Sequence, residues 1–199
     1  MSEIFHQMAN HYDTPERIQL AATIRSAVEK EFSAQTHDQK LIDYGGGTGL
    51  VTLPFASRFK EVIIIDSAAG MLAMADKKIK EAKQANVRTL ELDATKDLPA
   101  EKADIILLSL VLLHIPETKV ILKQLSQMLH PSGKLYIVDF DKNEKIQHPK
   151  VHNGFDHEEL REQLKLAGFK PLSIETFHHG KNLFMKQDAS LFLAIAIKE

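Results

Sequence analysis

The sequence contains no cysteine and no tryptophan in 199 residues. Without Cys there are no disulfide frameworks, no thiolate nucleophiles and no Cys-ligated zinc or iron–sulfur sites. An excess of one charge is also missing: 25 Lys and Arg stand against 27 Asp and Glu, a formal charge of −2. That balance, with no basic cluster, argues against a nucleic-acid partner. Long apolar runs are absent too. The longest, Ala103 to Ile115, is interrupted by Asp104, Ser109 and His114 and falls short of the roughly 20 residues a membrane helix needs. The opening Met1-Ser2-Glu3-Ile4-Phe5-His6 has no basic segment followed by an apolar one, which predicts no secretory signal. A cytoplasmic protein without a membrane partner is expected. At 44% hydrophobic residues, the chain can bury one substantial core, so 1–199 is read as a single domain.

What is present is an alternation of short apolar runs with amphipathic stretches. Residues 14–32 predict a helix, with Ile18, Ala21, Val28 and Phe32 on one face, Arg17, Arg25 and Glu29 elsewhere, Thr14 as N-cap and Pro15 at the first position. Strand-like Leu41-Ile42, 62–65, 87–92, 105–110 and 135–138 then alternate with helical 48–59, 69–84, 117–129 and 156–167. Runs apolar at nearly every position suit strands covered on both faces, with helices as right-handed crossovers. The last pair, 172–177 and 191–197, is separated only by a loop with Gly180 and Asn182, so an antiparallel hairpin is expected there. The expected fold is α/β: a doubly wound, mostly parallel seven-stranded sheet with a C-terminal antiparallel hairpin.

Four glycines follow the first strand in Asp43-Tyr44-Gly45-Gly46-Gly47-Thr48-Gly49, directly before a predicted helix. Ligands of open α/β sheets bind at that edge. The loop is not a P-loop, because the Lys is missing. It is not a dinucleotide fingerprint either, because Leu50 or Thr52 stands where the third Gly should be. Asp43 would repel a pyrophosphate and attract a cation, directly or through water.

The Asp43-to-Gly49 string resembles motif I of the class I S-adenosylmethionine-dependent methyltransferases, whose donor carries a sulfonium and an ammonium. Three more positions extend the resemblance. Asp66 ends the second predicted strand, and its oxygens would accept the ribose hydroxyls. The following Ser67-Ala68-Ala69-Gly70-Met71-Leu72 resembles the family's D-x-S-x-x-M-L stretch, with Ala68 at the usual Ser position and Ser67 as the candidate substitute helix cap. Leu92-Asp93-Ala94 resembles the pair that binds adenine, and Ser109 closes a stretch resembling motif IV, near the methionine end. The resemblance continues through His130-Pro131-Ser132-Gly133 and Leu166-Ala167-Gly168-Phe169.

It implies a Rossmann-like methyltransferase fold, with an N-terminal arm and helix over 1–36, a cofactor-binding core over 37–140 and an acceptor-side loop, helix and hairpin over 141–199. It also implies S-adenosylmethionine as donor, S-adenosylhomocysteine as product, and cofactor contacts from Asp43, Gly45, Gly46, Gly47, Gly49, Asp66, Ser67, Met71, Asp93, Ala94 and Ser109. Two residues are candidates for the chemistry. His114 is either a general base or a structural histidine bonding a loop carbonyl. Tyr12 either folds its ring over the sulfonium or packs on the arm.

The acceptor is expected to be a small molecule. The [DN]-P-P-[YF] motif of DNA amino-methyltransferases is replaced by Ser109-Leu110-Val111-Leu112, and a Cys adduct is impossible. The polar 141–155 stretch is expected to help form its pocket. His148 and His152 have helical ligand spacing, but Pro149 and Gly154 break a helix there, so no metal is expected. The alternative function is a protein that binds S-adenosylmethionine without transferring its methyl group, as a regulator or partner subunit. Oligomeric state stays open.

Overall fold

Ile42, Ile63, Ile64, Ile106 and Leu107 expose none of their surface, as the apolar runs require of strands covered on both faces. The computed structural model describes residues 2–32, 36–93, 100–149 and 151–199. In it these runs form β1 (Lys40–Tyr44), β2 (Glu61–Asp66) and β4 (Ala103–Ser109), joined by β3 (Val87–Glu91), β5 (Leu129–Phe140), β6 (Phe169–Phe184) and β7 (Gln187–Lys198). The strands form one sheet in the order β3-β2-β1-β4-β5-β7-β6. β1 to β5 run parallel, while β7 pairs antiparallel with both β5 and β6. This is the expected mostly parallel sheet closed by a hairpin, with helices on both sides.

The order reverses between β1 and β4. From β1 the chain steps outward to β2 and β3, then returns to β4 and β5 on the other side. A crevice opens at the carboxyl ends of the two central strands, where such a switch occurs.

Among the described residues, five α-helices flank the sheet: α1 (Ser2–Met8), α2 (Pro15–Lys30), α3 (Ala69–Glu81), α4 (Thr118–Met128) and α5 (His157–Leu166). Thr14 caps α2 as expected, its hydroxyl accepting from Arg17 N–H at 3.4 Å. The buried face of α2 is Ala21, Ile24 and Val28, whereas Ile18 is 48% exposed. None of these helices is long and apolar enough to cross a membrane.

Two expectations differ from the structure. The helix predicted over 48–59 is a run of 3-10 turns at Leu53–Arg58. Pro54 has no N–H to donate to the carbonyl of Leu50, and the chain takes the tighter spacing instead, with Phe55 N–H on Thr52 O at 3.1 Å. The loop expected at Gly180 and Asn182 lies within the long β6 strand, and the chain reverses at Met185 and Lys186, with φ of 50° and 62°. Two successive left-handed residues define a tight hairpin turn that normally selects Asn-Gly. Met185-Lys186 carries no such signal.

Side chains in the left-handed region cost about 1 kcal/mol each. Replacing Met185-Lys186 by Asn-Gly is therefore expected to raise stability by about 1 kcal/mol, read as a higher midpoint in thermal unfolding. An unchanged or lower midpoint contradicts the turn geometry.

Candidate active site

The carboxyl end of β1 places Asp43 and Tyr44 at the base of the crevice, and the glycine loop begins at once. Gly45 has φ +71°, and a Cβ there would lie 2.5 Å from Val111 Cγ2. A Cβ on Gly46 would lie 2.5 Å from Asp43 Oδ2. The loop can therefore pass between the β4–α4 connection and the Asp43 carboxylate only as bare backbone. Gly45 and Gly46 N–H both donate to Ile65 O, at 2.7 and 3.1 Å, which fixes the loop to β2.

Asp43 is buried to 1% exposure. Thr52 Oγ1 donates to its Oδ2, while its Oδ1 has no hydrogen-bond partner. Burial pushes its pKa up to about 7, against the Thr52 hydrogen bond, and the nearby Asp66 charge adds to the rise. The structure thus holds a carboxylate withdrawn from water, with one oxygen unanswered.

Asp66, ending β2, receives Gly47 N–H on Oδ2 at 3.0 Å and Ala68 N–H on Oδ1 at 2.8 Å. Each oxygen keeps a second lone pair for a ligand. Burial raises its pKa, and the backbone N–H groups of Ala68, Gly47 and Ser67 oppose the rise. Ser67 does not cap α3. The N-cap is Ala68 without a side-chain bond, and the first turn is served by the arm, where Gly70 N–H donates to His6 Nδ1 at 3.0 Å.

These groups line a cavity of about 380 Å³. Its wall brings together Asp43, Gly45, Gly46, Gly47, Asp66, Ser67, Met71, Asp93, Ser109, His114 and Tyr12. Gly49 stays behind the loop against Leu53 and Ile64, and Ala94 lies outside the described residues. Among the described residues, none of 141–155 reaches the wall. That stretch acts from behind: His152 N–H donates to Leu113 O at 2.9 Å, and the His152 ring nitrogen lies 3.0 Å from Ile115 O.

The arm covers the cavity. Phe5 of α1 meets His114 edge to face, with ring centroids 5.4 Å apart, and Tyr12 at 6.3 Å. Asp13 fastens the arm to the loop, accepting from Thr48 Oγ1 at 2.6 Å and pairing with Lys78 Nζ at 2.5 Å. Lys78 also donates to Thr48 O at 2.8 Å. One face of the Tyr12 ring is covered by the Arg17 guanidinium, 4.1 Å from the centroid. Burial raises the Tyr12 pKa.

His114 sits on the opposite wall, after β4. Leu110, at φ +57°, makes the turn that leads to it, with its N–H on Val138 O at 2.8 Å. Burial lowers the His114 pKa to about 4, with the His148 charge adding to the fall, and its Nδ1 has no hydrogen-bond partner. It is therefore neutral at pH 7 and bonds no loop carbonyl through Nδ1.

Sequence reasoning missed Asp139, fully buried at the end of β5. Leu113 N–H donates to its Oδ2 at 3.1 Å and Phe140 N–H to its Oδ1 at 2.8 Å, so it holds the segment that bears His114. An acidic residue inside the run Tyr136-Ile137-Val138-Asp139-Phe140 was the available signal. Arg17, read as off the apolar face, was missed as a cavity residue because its side chain turns back along the arm to Tyr12 O, 3.0 Å from NH1.

The sheet order, the glycine loop and the acid ending β2 define a Rossmann-like protein built for a nucleoside-bearing ligand. Comparison with known proteins narrows the class. Residues 42–137 match the family model described as a methyltransferase domain. The chain is 25% identical over 162 residues to the ubiquinone/menaquinone biosynthesis C-methyltransferase UbiE of Stutzerimonas stutzeri, covering 78% of this chain and 63% of that protein. It is 26% identical over 206 aligned positions to the protein of the same name from Azotobacter vinelandii, covering 100% of this chain and 75% of that one. This chain thus spans less than two thirds of the first relative's length. A solved S-adenosylmethionine-dependent methyltransferase from Aquifex aeolicus shares the fold, with TM-score 0.74, 24% identity and 98% of both chains covered. Residues 42–137 thus match the methyltransferase-domain family, and the comparisons together support a class I S-adenosylmethionine-dependent methyltransferase.

Burial pushes the Asp139 pKa up to about 7 against its backbone hydrogen bonds. The folded protein then keeps a proton that the unfolded chain releases near pH 4. This stabilisation is complete below about pH 4 and is lost as pH rises through about 7, at up to about 1.4 kcal/mol per pH unit. Asp139→Asn is expected to flatten this decline in denaturant unfolding measured from pH 4 to 8. An equally steep decline in the variant contradicts the assignment.

Proposed function

We propose that the protein transfers a methyl group from S-adenosylmethionine to a small-molecule acceptor. The observation that supports it most is the pairing of the bare glycine loop with Asp43 Oδ1, a buried acceptor atom without a partner. A ligand fits that pairing if it brings a cation and lies flat on backbone. S-adenosylmethionine, when bound, supplies an electrophilic methyl group on its sulfonium and an ammonium at its amino-acid end.

Residue roles follow from position. Asp66 takes the ribose hydroxyls on the lone pairs its backbone partners leave. Asp93, on the same wall just after β3, takes the adenine amino group. Gly45, Gly46 and Gly47 give close backbone approach, and Met71 packs beneath them. Asp43 receives the ammonium, directly or through one water, and Ser109 lies beside the amino-acid end. Gly49 is support rather than contact and shapes the loop, while Ser67 lines the cavity and also lends a backbone N–H to Asp66. The arm and α2 within 1–36 form a cover over the 37–140 core, and 141–199 braces the acceptor side.

His114 is the base or hydrogen-bond acceptor for the methyl acceptor, and its unpartnered Nδ1 and neutral state support this role. Tyr12 closes the cavity with the ring face that Arg17 leaves open. Enclosure by Phe5 and Tyr12 excludes water, while alignment of the reacting atoms is worth up to roughly 7–11 kcal/mol. The near-neutral composition supports a small molecule over a nucleic acid, and a cytoplasmic location stands on the sequence reading alone. UbiE relatives are named as C-methyltransferases of quinone biosynthesis. The apolar Leu20, Ile24, Val111 and Ile115 on the cavity wall support an acceptor of comparable apolar character.

If Asp43 receives the ammonium, binding favours its ionised form. Affinity for S-adenosylhomocysteine is then expected to rise as pH climbs from 5.5 toward 7.5, by up to about tenfold per unit below about pH 7. Asp43→Asn should bind more weakly and with a flatter pH profile in calorimetry; an unchanged slope contradicts the role. Asp66→Ala is expected to weaken binding by about 1–3 kcal/mol through lost charge-assisted hydrogen bonds, and an unchanged dissociation constant in a folded variant refutes the ribose contact. Conversion of S-adenosylmethionine to S-adenosylhomocysteine with a panel of apolar acceptors tests the function itself. Tight binding without turnover across the panel would favour a binding protein.

A further inference from the structure

The first turn of α3 lacks two groups, and the arm fills both gaps. Its N-cap position holds Ala68, which makes no side-chain cap bond, where Ser, Thr, Asp or Asn is preferred. The acceptor comes instead from another element: Gly70 N–H donates to His6 Nδ1 of α1 at 3.0 Å. The second missing group is a Cβ. One built on Gly70 would lie 2.9 Å from His6 O and 3.0 Å from His6 Nδ1, so α1 seats here because residue 70 is bare backbone. The apolar contacts of the arm stand apart from the main core. Ala9, Ala68 and Met71 form their own buried cluster, with Phe5, Tyr12 and Met74 packed against it. A segment held by a small detached cluster and a few hydrogen bonds can open without unfolding the sheet.

We propose that His6 is a proton-sensitive clasp, which holds the arm shut over the cavity while its imidazole is neutral and releases it on protonation. Nδ1 accepts Gly70 N–H only when it carries no proton, so the clasped ring is the Nε2–H tautomer. An imidazolium has no acceptor, and its charge would face the positive end of the α3 dipole. Both effects favour the open arm as pH falls through the range of about 5 to 8 in which histidine changes charge. The His6 side chain is exposed, so a proton reaches it with the arm shut. Among the described residues no charged group is bonded to it. Glu3 lies one turn earlier on α1, and His11 follows in the next turn of the arm. On α3, Asp76 accepts from Thr89, Lys77 lies beside Glu81, Lys78 pairs with Asp13, and Lys80 stands at the far end. Asp66, just before α3, takes Gly47 and Ala68 N–H. Release lifts Phe5 from His114, while Asp13 stays fixed to Thr48 and Lys78 at the end of the moving segment. That this uncovers a donor rests on the reading of the cavity as an S-adenosylmethionine site.

The test is hydrogen exchange of the α1 amides on the ligand-free full chain, corrected for the intrinsic rate at each pH. The wild-type protein is expected to exchange about fivefold faster at pH 5.5 than at pH 7.5, the equilibrium worth of one helix cap. His6→Asn keeps an acceptor near the Nδ1 position and has nothing to titrate, so it should stay slow at both. Asp43 and Asp139, with pKa values raised to about 7, and His114, lowered to about 4, are intact in that variant. A pH dependence that persists in His6→Asn therefore overturns the proposal, and so does wild-type protection that does not change with pH. Gly70→Ala should unseat α1 at both pH values, and unchanged protection there overturns the docking itself. A second measurement needs no variant. Nitrogen NMR of the wild-type His6 ring should show the Nε2–H tautomer at pH 7.5 and its conversion to imidazolium in step with α1 exchange; a ring that titrates while α1 stays protected contradicts the clasp. None of these readouts uses a ligand, so failure of S-adenosylhomocysteine to bind would sink the donor reading and leave the clasp standing.

Discussion

Asp43 is a carboxylate withdrawn from water with a single hydroxyl to answer it, and the chain keeps it at the point where the sheet order reverses. Burying such a group costs several kcal/mol unless it is neutralised or paired. Its pKa near 7 is the physical record of that cost in the free protein. The loop above it has to be glycine because the space a Cβ would need at Gly46 is already taken by this carboxylate. Residue identity, loop conformation and ligand charge are thus linked through one buried side chain.

A second layer depends on the first. The loop that Asp43 shapes turns Gly47 N–H to Asp66, and Thr48 offers its hydroxyl to Asp13 of the arm. Through Asp13 and Lys78 the cover is fastened to the loop, so the floor and the lid of the cavity share hydrogen bonds. Asp139 does the corresponding work on the other wall, where two backbone N–H groups hold the segment that delivers His114. Burial raises both pKa values to about 7, and among the described residues neither carboxylate forms an ion pair with a lysine or arginine.

The parallel core was legible in the sequence because its central strands are apolar at nearly every position, as in Val62 to Ile65, a pattern set by burial on both faces. Asp43, Asp66 and Asp93 were legible because each interrupts such a run at its carboxyl end. The 3-10 turns at 53–58 were not read, since hydrophobic spacing there fits a helix and only the missing N–H of Pro54 decides otherwise. Met185-Lys186 hid the hairpin turn because neither residue prefers the backbone that the β6–β7 pairing imposes. Arg17 and Asp13 escaped for a different reason. Their roles depend on where the arm folds, and that is fixed by contacts with residues more than thirty positions away.

A crystal structure with S-adenosylhomocysteine bound tests the central claim most directly. The ammonium is expected within hydrogen-bond reach of Asp43 Oδ1, directly or through one water, with the ribose hydroxyls on Asp66. An amino-acid end turned away from Asp43, leaving Oδ1 unbonded beneath a filled glycine loop, would contradict it.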